Sequence, residues 1–284
     1  MASPAILLPG DTLQSSTASA PKLGPNLHLL SVQNQSPHNI PPSPPAPSES
    51  SHTIAVAQAG LLTSDSKRNP TLSILPFPQA RYVPCTNDLV IAQIHHSSQD
   101  FYHCMITPYS PHAFLAHLAF EGATKKTRPQ LKVGELIYAR VLSVGVGAGG
   151  EVELACVNMD TGKAEPEGLG PLTGGMAFDV SNAFATRLMI GGGNVRTARK
   201  GGAGPGGLVV LEELGPKLES YGGFEIAIGK NGRVWVDCSA GEQARVKIIV
   251  AIGRCLKETD ERRLGVPEQK KLVSKILREM GLGK

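Results

Sequence analysis

The residues best placed to do chemistry sit together between positions 119 and 141. Lys125, Lys126 and Arg128 fall within Ala119-Phe120-Glu121-Gly122-Ala123-Thr124-Lys125-Lys126-Thr127-Arg128-Pro129, and Val133-Gly134-Glu135-Leu136-Ile137-Tyr138-Ala139-Arg140-Val141 follows at once. Three cations in a loop containing Gly, Thr and Pro, joined to a β-type run, are how a small barrel offers a basic loop to a polyanion. Such cations hold phosphates and position a nucleic acid without reading its sequence. A second set comes from period-two alternation. Phe101 and His103 share one face of 101–106, with Tyr102, Cys104 and Ile106 on the other; Tyr138 and Arg140 lie opposite Ile137, Ala139 and Val141. Phe101, His103, Tyr138 and Arg140 then make a platform for single-stranded RNA. Bases stack on aromatic rings at about 1–3 kcal/mol per base, and a guanidinium serves both stacking and phosphate contact. The same alternation also arises where rings pack against a neighbouring domain.

Other chemistries find less support. Gly145–Gly150 and Gly201–Gly207 look superficially like nucleotide loops, but no GxxxxGK[ST] occurs. No GxSxG is present, and the acidic residues are dispersed without the compact Asp/Glu set of a two-metal nuclease. No enzyme and no cofactor are expected. His95-His96 and His103-Cys104 lack the second Cys pair of a zinc site and are read as strand residues, so no metal is expected either. The five cysteines (85, 104, 156, 238, 255) form no CxxC pair and read as reduced, buried thiols of a cytosolic or nuclear protein. No run of 18 apolar residues exists, so no membrane partner is expected. The N-terminus also lacks the basic and apolar regions of a secretory signal.

The elements that must position these residues follow from composition and pattern. A chain of 284 residues implies two or three domains at ~100–150 residues each. Its 32 Gly and 22 Pro make loops abundant, and a net charge of +4 permits a nucleic-acid partner without demanding one. Residues 1–80 read as a β-rich unit with short apolar runs at 5–8 and 54–58. Between these runs lies a Pro-rich insert near 34–52 that cannot pair as a strand. Residues 81–165 carry strands at 88–94, 101–106, 136–144 and 151–157, which fits a small Greek-key barrel of the OB type. Residues 166–284 mix types. Short helices are expected at 181–190 and 208–214, the second closed by Gly215-Pro216, then strands at 224–228 and 233–238, then helices at 242–257 and 267–280. A Gly-rich insert near 191–207, with eight glycines plus Arg196, Arg199 and Lys200, separates the two short helices.

Gly229-Lys230-Asn231-Gly232 has the form of the GXXG loop that grips phosphates in KH domains. Such a loop joins two helices, whereas here strands flank it and Asn-Gly is the preferred pair of a tight hairpin turn. It is read as a structural turn, with the phosphate-gripping loop as the alternative.

The basic loop and its strand, together with Leu8-Pro9-Gly10-Asp11, Lys22-Leu23-Gly24-Pro25 and 224–236, resemble one family in the same order over almost the whole chain. It is the S1-domain RNA-binding cap subunit of the RNA exosome known as ribosomal RNA-processing protein 40, or exosome component 3. The inserts near 34–52 and 191–207 lie outside the resemblance. The resemblance implies an S1 (OB-fold) barrel at 81–165, a KH-like α+β domain at 166–284, and a non-catalytic role. It implies a cap position on a ring of RNase PH-like subunits beside other cap subunits, guiding single-stranded RNA to 3′ processing and degradation in nucleus, nucleolus and cytoplasm. A free-standing S1/KH protein of translation or ribosome assembly, and a ribonuclease in its own right, are the rival readings.

Overall fold

The computed structural model of the chain describes residues 6–16, 22–23, 27–33, 51–56, 58–64, 71–77, 80–145, 150–159, 161–190 and 208–282. The Gly-rich insert and all but the end of the Pro-rich insert lie outside them, as does 146–149 of the glycine run at 145–150. The chain divides into two compact units, residues 1–80 and 81–284.

The first unit is β-rich, as its short apolar runs imply. Strands β1 (Ile6–Leu7), β6 (Gly60–Ser64), β7 (Thr71–Pro76) and β3 (Lys22–Leu23) form one sheet in the order β1-β6-β7-β3. Strands β2 (Thr12–Ser16), β5 (Ser51–Val56) and β4 (Leu27–Gln33) form a second in the order β2-β5-β4. Leu7, Leu27, Ile54, Val56 and Ile74 fill the small core. Leu8-Pro9-Gly10-Asp11 turns from β1 into β2. Gly10 holds φ +93°, and the Leu8 amide donates to Asp11 Oδ2 at 2.7 Å. Without a Cβ, glycine takes that backbone shape at no steric cost.

The second unit opens with a closed five-stranded barrel. Strands β8 (Leu89–Ser97), β9 (Phe101–Met105) and β10 (Ala113–Phe120) run as an antiparallel meander. Strand β11 (Leu136–Val144) pairs with β8, and β12 (Val152–Cys156) pairs with both β11 and β10, the latter in parallel, which closes the sheet. Closure leaves no free edge among these five strands. Ile94, Cys104, Leu115, Ala139 and Val141 are among the fully buried side chains of this core. Sequence alternation misses β10 because Ala113–Phe120 carries His117 among its inward residues and Phe114 among the others, which blurs the pattern.

A short strand β13 (Gly170–Leu172) extends the barrel sheet from β11 and leads to β14 (Met176–Asp179). Strand β14 joins β15 (Glu225–Ile228) and β16 (Arg233–Asp237) in the order β14-β16-β15. Four helices pack on this sheet: α1 (Asn182–Ile190), α2 (Val210–Leu218), α3 (Glu242–Arg262) and α4 (Val266–Glu279). The expected stop at Gly215-Pro216 fails, since α2 runs through Pro216 to Leu218. A proline inside a helix costs about 3 kcal/mol. Val210, Leu214 and Leu218 lie on one stripe and are wholly buried, and each such burial returns about 1.5–3 kcal/mol. The tertiary term therefore exceeds the local penalty. Helix α3 also runs beyond the expected residue 257 to Arg262, and Arg263, with φ +51°, terminates it. Cys104, Cys156, Cys238 and Cys255 are buried free thiols, and Cys85 is half-buried.

Candidate nucleic-acid interface

The loop after β10 is ordered by its own threonines. The Thr124 amide donates to Thr127 Oγ1 at 3.0 Å, the two hydroxyls lie 2.9 Å apart, and the Arg128 amide donates to the Thr124 carbonyl at 2.9 Å. This small turn leaves Lys125 and Lys126 exposed. Arg128 behaves differently. Its Nη1 lies 2.7 Å from Nδ1 of His117, whose ring is buried on the inner side of β10 and tilts against Tyr102 at 4.3 Å. Loss of water around the ring, and then the neighbouring guanidinium, lower the pKa of His117. A neutral imidazole suits a position beside a cation. Tyr102 secures the far side of the loop, its hydroxyl donating to the Pro129 carbonyl at 2.9 Å.

A continuous line of rings crosses the outer face of β8, β9 and β10. Phe101 meets Phe114 edge-on at 6.1 Å, and Phe114 meets His103 at 4.9 Å. His103 stacks on His96 at 3.9 Å and 13°. His96 meets His95 at 5.4 Å, and His95 lies over His112 at 4.3 Å. Phe101 and His103 are thus together on the face that alternation assigns them, with Phe101 exposed and His103 half-buried. Phe114 and His96 complete the line, and sequence alternation singles out neither. Phe114 lies on the strand whose alternation is blurred. His96 reaches this face because the β8–β9 register shifts between Ile94 and His96.

Tyr138 and Arg140 do not join that surface, which corrects the expectation of a four-residue platform. Tyr138 is only 3% exposed, and its hydroxyl donates to the Ile228 carbonyl at 3.1 Å. Burial raises its pKa well above that of a free phenol. Arg140 pairs with Glu167 at 2.8 Å and donates to the Asn87 carbonyl at 3.2 Å. Alternation gives the side of a strand correctly here, but not what covers that side. On β11 the cover is the β15–β16 hairpin, with Ala227 and Trp235 sharing the barrel's core cluster.

The turn of that hairpin is Gly229-Lys230-Asn231-Gly232. Gly232 holds φ +79°, and its amide donates to the Gly229 carbonyl at 3.1 Å. The whole turn is seated on the barrel. Asn231 Nδ2 donates to the carbonyls of Ile91 at 2.9 Å and Ile106 at 2.8 Å, while its Oδ1 accepts from the Ile91 amide at 3.2 Å. The Lys230 amide donates to the Leu89 carbonyl at 2.8 Å, and its ammonium pairs with Asp88 at 2.6 Å with both side chains nearly buried. Asp88 also accepts from the Tyr82 hydroxyl at 2.9 Å and the Cys85 amide at 3.2 Å. A Cβ on Gly229 would approach Asn231 Oδ1 and come within 2.7 Å of the Ile91 amide nitrogen. The Lys230 amide and ammonium and the Asn231 side chain are thus engaged with the barrel, while the Gly229 and Gly232 amides bond within the hairpin.

Comparison with known proteins agrees with this architecture. Residues 82–170 match the model described as Exosome complex component RRP40, S1 domain, and residues 175–242 match a KH domain. The Schizosaccharomyces pombe protein named Exosome complex component rrp40 is 38% identical over 74% of this chain and 77% of its own length. Exosome complex component RRP40 of Saccharomyces cerevisiae is 29% identical over 82% of this chain and 81% of its own. The Drosophila melanogaster protein of the same name is 37% identical over 65% of this chain and 67% of its own.

Proposed function

The chain belongs to the family of exosome complex component RRP40, and from that membership we propose that it acts as a non-catalytic, RNA-binding cap subunit of an RNA exosome. Its three parts would be the β-rich unit 1–80, the S1 barrel 81–165 and the KH-like domain 166–284. The observation that carries the reading is the division of labour within the second unit. The barrel leaves the Phe101–Phe114–His103–His96 line and the Lys125/Lys126 loop uncovered, while the KH-like turn is committed to docking. Single-stranded RNA would lie across the rings, with its phosphates on Lys125, Lys126 and the outward part of Arg128. Stacking tolerates any base, which suits a subunit that passes diverse transcripts along.

The same reading makes the chain a brace on a ring of RNase PH-like subunits beside other cap subunits, in nucleus, nucleolus and cytoplasm. Several carboxylates are engaged structurally, Asp88 with Lys230, Glu167 with Arg140 and Asp237 with Arg245, which supports a role without hydrolysis. Two measurements test the proposal. The pure chain is expected to leave labelled single-stranded RNA intact with or without Mg²⁺; cleavage that disappears on mutating its own carboxylates overturns the non-catalytic role. Mass spectrometry of the natively purified assembly is expected to find ring subunits in equal stoichiometry. A monomer that binds RNA and has no such partners would instead make it a free-standing S1/KH protein.

A further inference from the structure

The outer face of the barrel carries a second kind of chemistry at the end of the ring line. Adjacent residues of a strand point to opposite faces, yet His95 and His96 point to one place. The β8–β9 pairing explains this: Ile94 opposes Cys104, and His96 opposes His103, so one extra residue on β8 is taken up at His95. A bulge of this kind re-aims a side chain at the cost of one ladder position. His112, immediately before β10, completes the group. One ligand atom from each of His95, His96 and His112 lies within 4.8 Å of the others. The two Nδ1 atoms of His95 and His96 are 3.1 Å apart.

We infer that His95, His96 and His112 form a binding site for a zinc-class divalent transition-metal ion. A tetrahedral ion with nitrogen ligands at ~2.0–2.1 Å places those nitrogens roughly 3.4 Å apart. The His95–His96 pair, at 3.1 Å, is close to that spacing, and a ring nitrogen of His112 lies within 4.8 Å of both. Imidazole is the commonest metal ligand, and a set of three without oxygen donors suits Zn²⁺, Co²⁺, Ni²⁺ or Cu²⁺ over Mg²⁺ or Ca²⁺. His103, stacked on His96, fixes the ring plane from behind. Since His95 and His96 are exposed, the fourth coordination position opens to water. Sequence spacing points away from metal because it lacks a second Cys pair. The site needs none, for it is assembled across β8 and the start of β10.

The test is a calorimetric titration of the full-length chain with Zn²⁺, with Co²⁺ absorption as a spectroscopic readout. One ion per chain is expected, together with a rise in Tm, and Mg²⁺ in excess does not displace it. Each of His95→Ala, His96→Ala and His112→Ala is expected to weaken binding at least as much as the ~10–100-fold that loss of an outer-shell partner costs. The triple variant abolishes both the Co²⁺ spectrum and the Zn²⁺-dependent rise in Tm. His28→Ala and Cys85→Ser, elsewhere in the chain, leave binding unchanged and show that other donors are not responsible. The inference is overturned if the triple variant binds Zn²⁺ with the stoichiometry and affinity of the natural chain, or if the natural chain binds no tighter than the triple variant.

Discussion

At the scale of single residues, the two groups that sequence alternation places on one platform separate by what surrounds them. Phe101 is open to a base, while Tyr138 is a hydrogen-bond donor within a domain junction. Phe101→Ala should therefore weaken single-stranded RNA binding by the ~1–3 kcal/mol typical of one stacked base. Tyr138→Phe should leave RNA affinity alone and lower stability by about 1 kcal/mol through the missing hydrogen bond. A fluorescence titration and a urea melt of both variants distinguish the roles, and equal effects on RNA affinity would refute the division. Changing Lys125, Lys126 and Arg128 together to alanine should flatten the salt dependence of RNA binding, by about 0.7 in slope for each phosphate no longer neutralised; an unchanged slope would make the loop a solvated surface. His117 adds a pH effect. Its lowered pKa means that the folded chain binds this proton less readily than the unfolded chain. The corresponding stability is present above the unfolded value near ~6.5 and is lost as pH falls through the folded one. Urea midpoints at neutral and mildly acidic pH should diverge more in the natural chain than in His117→Gln.

At the scale of elements, the hairpin β15–β16 shows what sequence can and cannot reveal. The Asn-Gly pair and the flanking alternation are enough to read a turn at 229–232, because a turn is a local matter. Its partners at Ile91 and Ile106 are 140 and 125 residues away, and nothing in the local pattern names them. The same limit explains β10. A strand with a histidine inside and a phenylalanine outside does not look like one until β9 and β12 flank it, and Phe114 is hidden with it. The barrel class, the helical stripes of α3 and α4 and the alternation at 101–106, 136–144 and 151–157 are legible because burial on one face writes a period into the chain. Helix α2 crossing Pro216 is not, since its reason lies in the core it fills. Gly232→Val tests the turn as an element. Its φ of +79° and a Cβ position 2.5 Å from the Val180 carbonyl oxygen add strain of about 1–3 kcal/mol. The variant should lose Tm or fail to assemble before its RNA binding changes. Normal folding and assembly with RNA binding abolished would restore the phosphate-gripping reading.

At the scale of the molecule, barrel and KH-like domain form one compact unit, and the Lys230–Asp88 pair lies in the seam between them. Breaking a buried pair by removing one partner costs about 3–5 kcal/mol, because the remaining charge is stranded. Lys230→Met is therefore expected to increase hydrogen exchange at 88–91 and 228–232 well before the barrel itself unfolds; protection unchanged at both segments would show that the pair is dispensable. At the Asn231 contact within this seam, the two halves differ in how they are encoded. On one side the information lies in the Asn231 amide, which has one acceptor and two donors in fixed positions. On the other side the bonded atoms are main-chain carbonyls and an amide, which every residue except proline provides. The joint is thus a lock whose key is written in side chain and whose wards are written in backbone. Positions 91 and 106 are free to drift among apolar residues that fill the same space, while position 231 is not. In a library selected only for docking of the two domains, asparagine should persist at 231 as its barrel neighbours diversify.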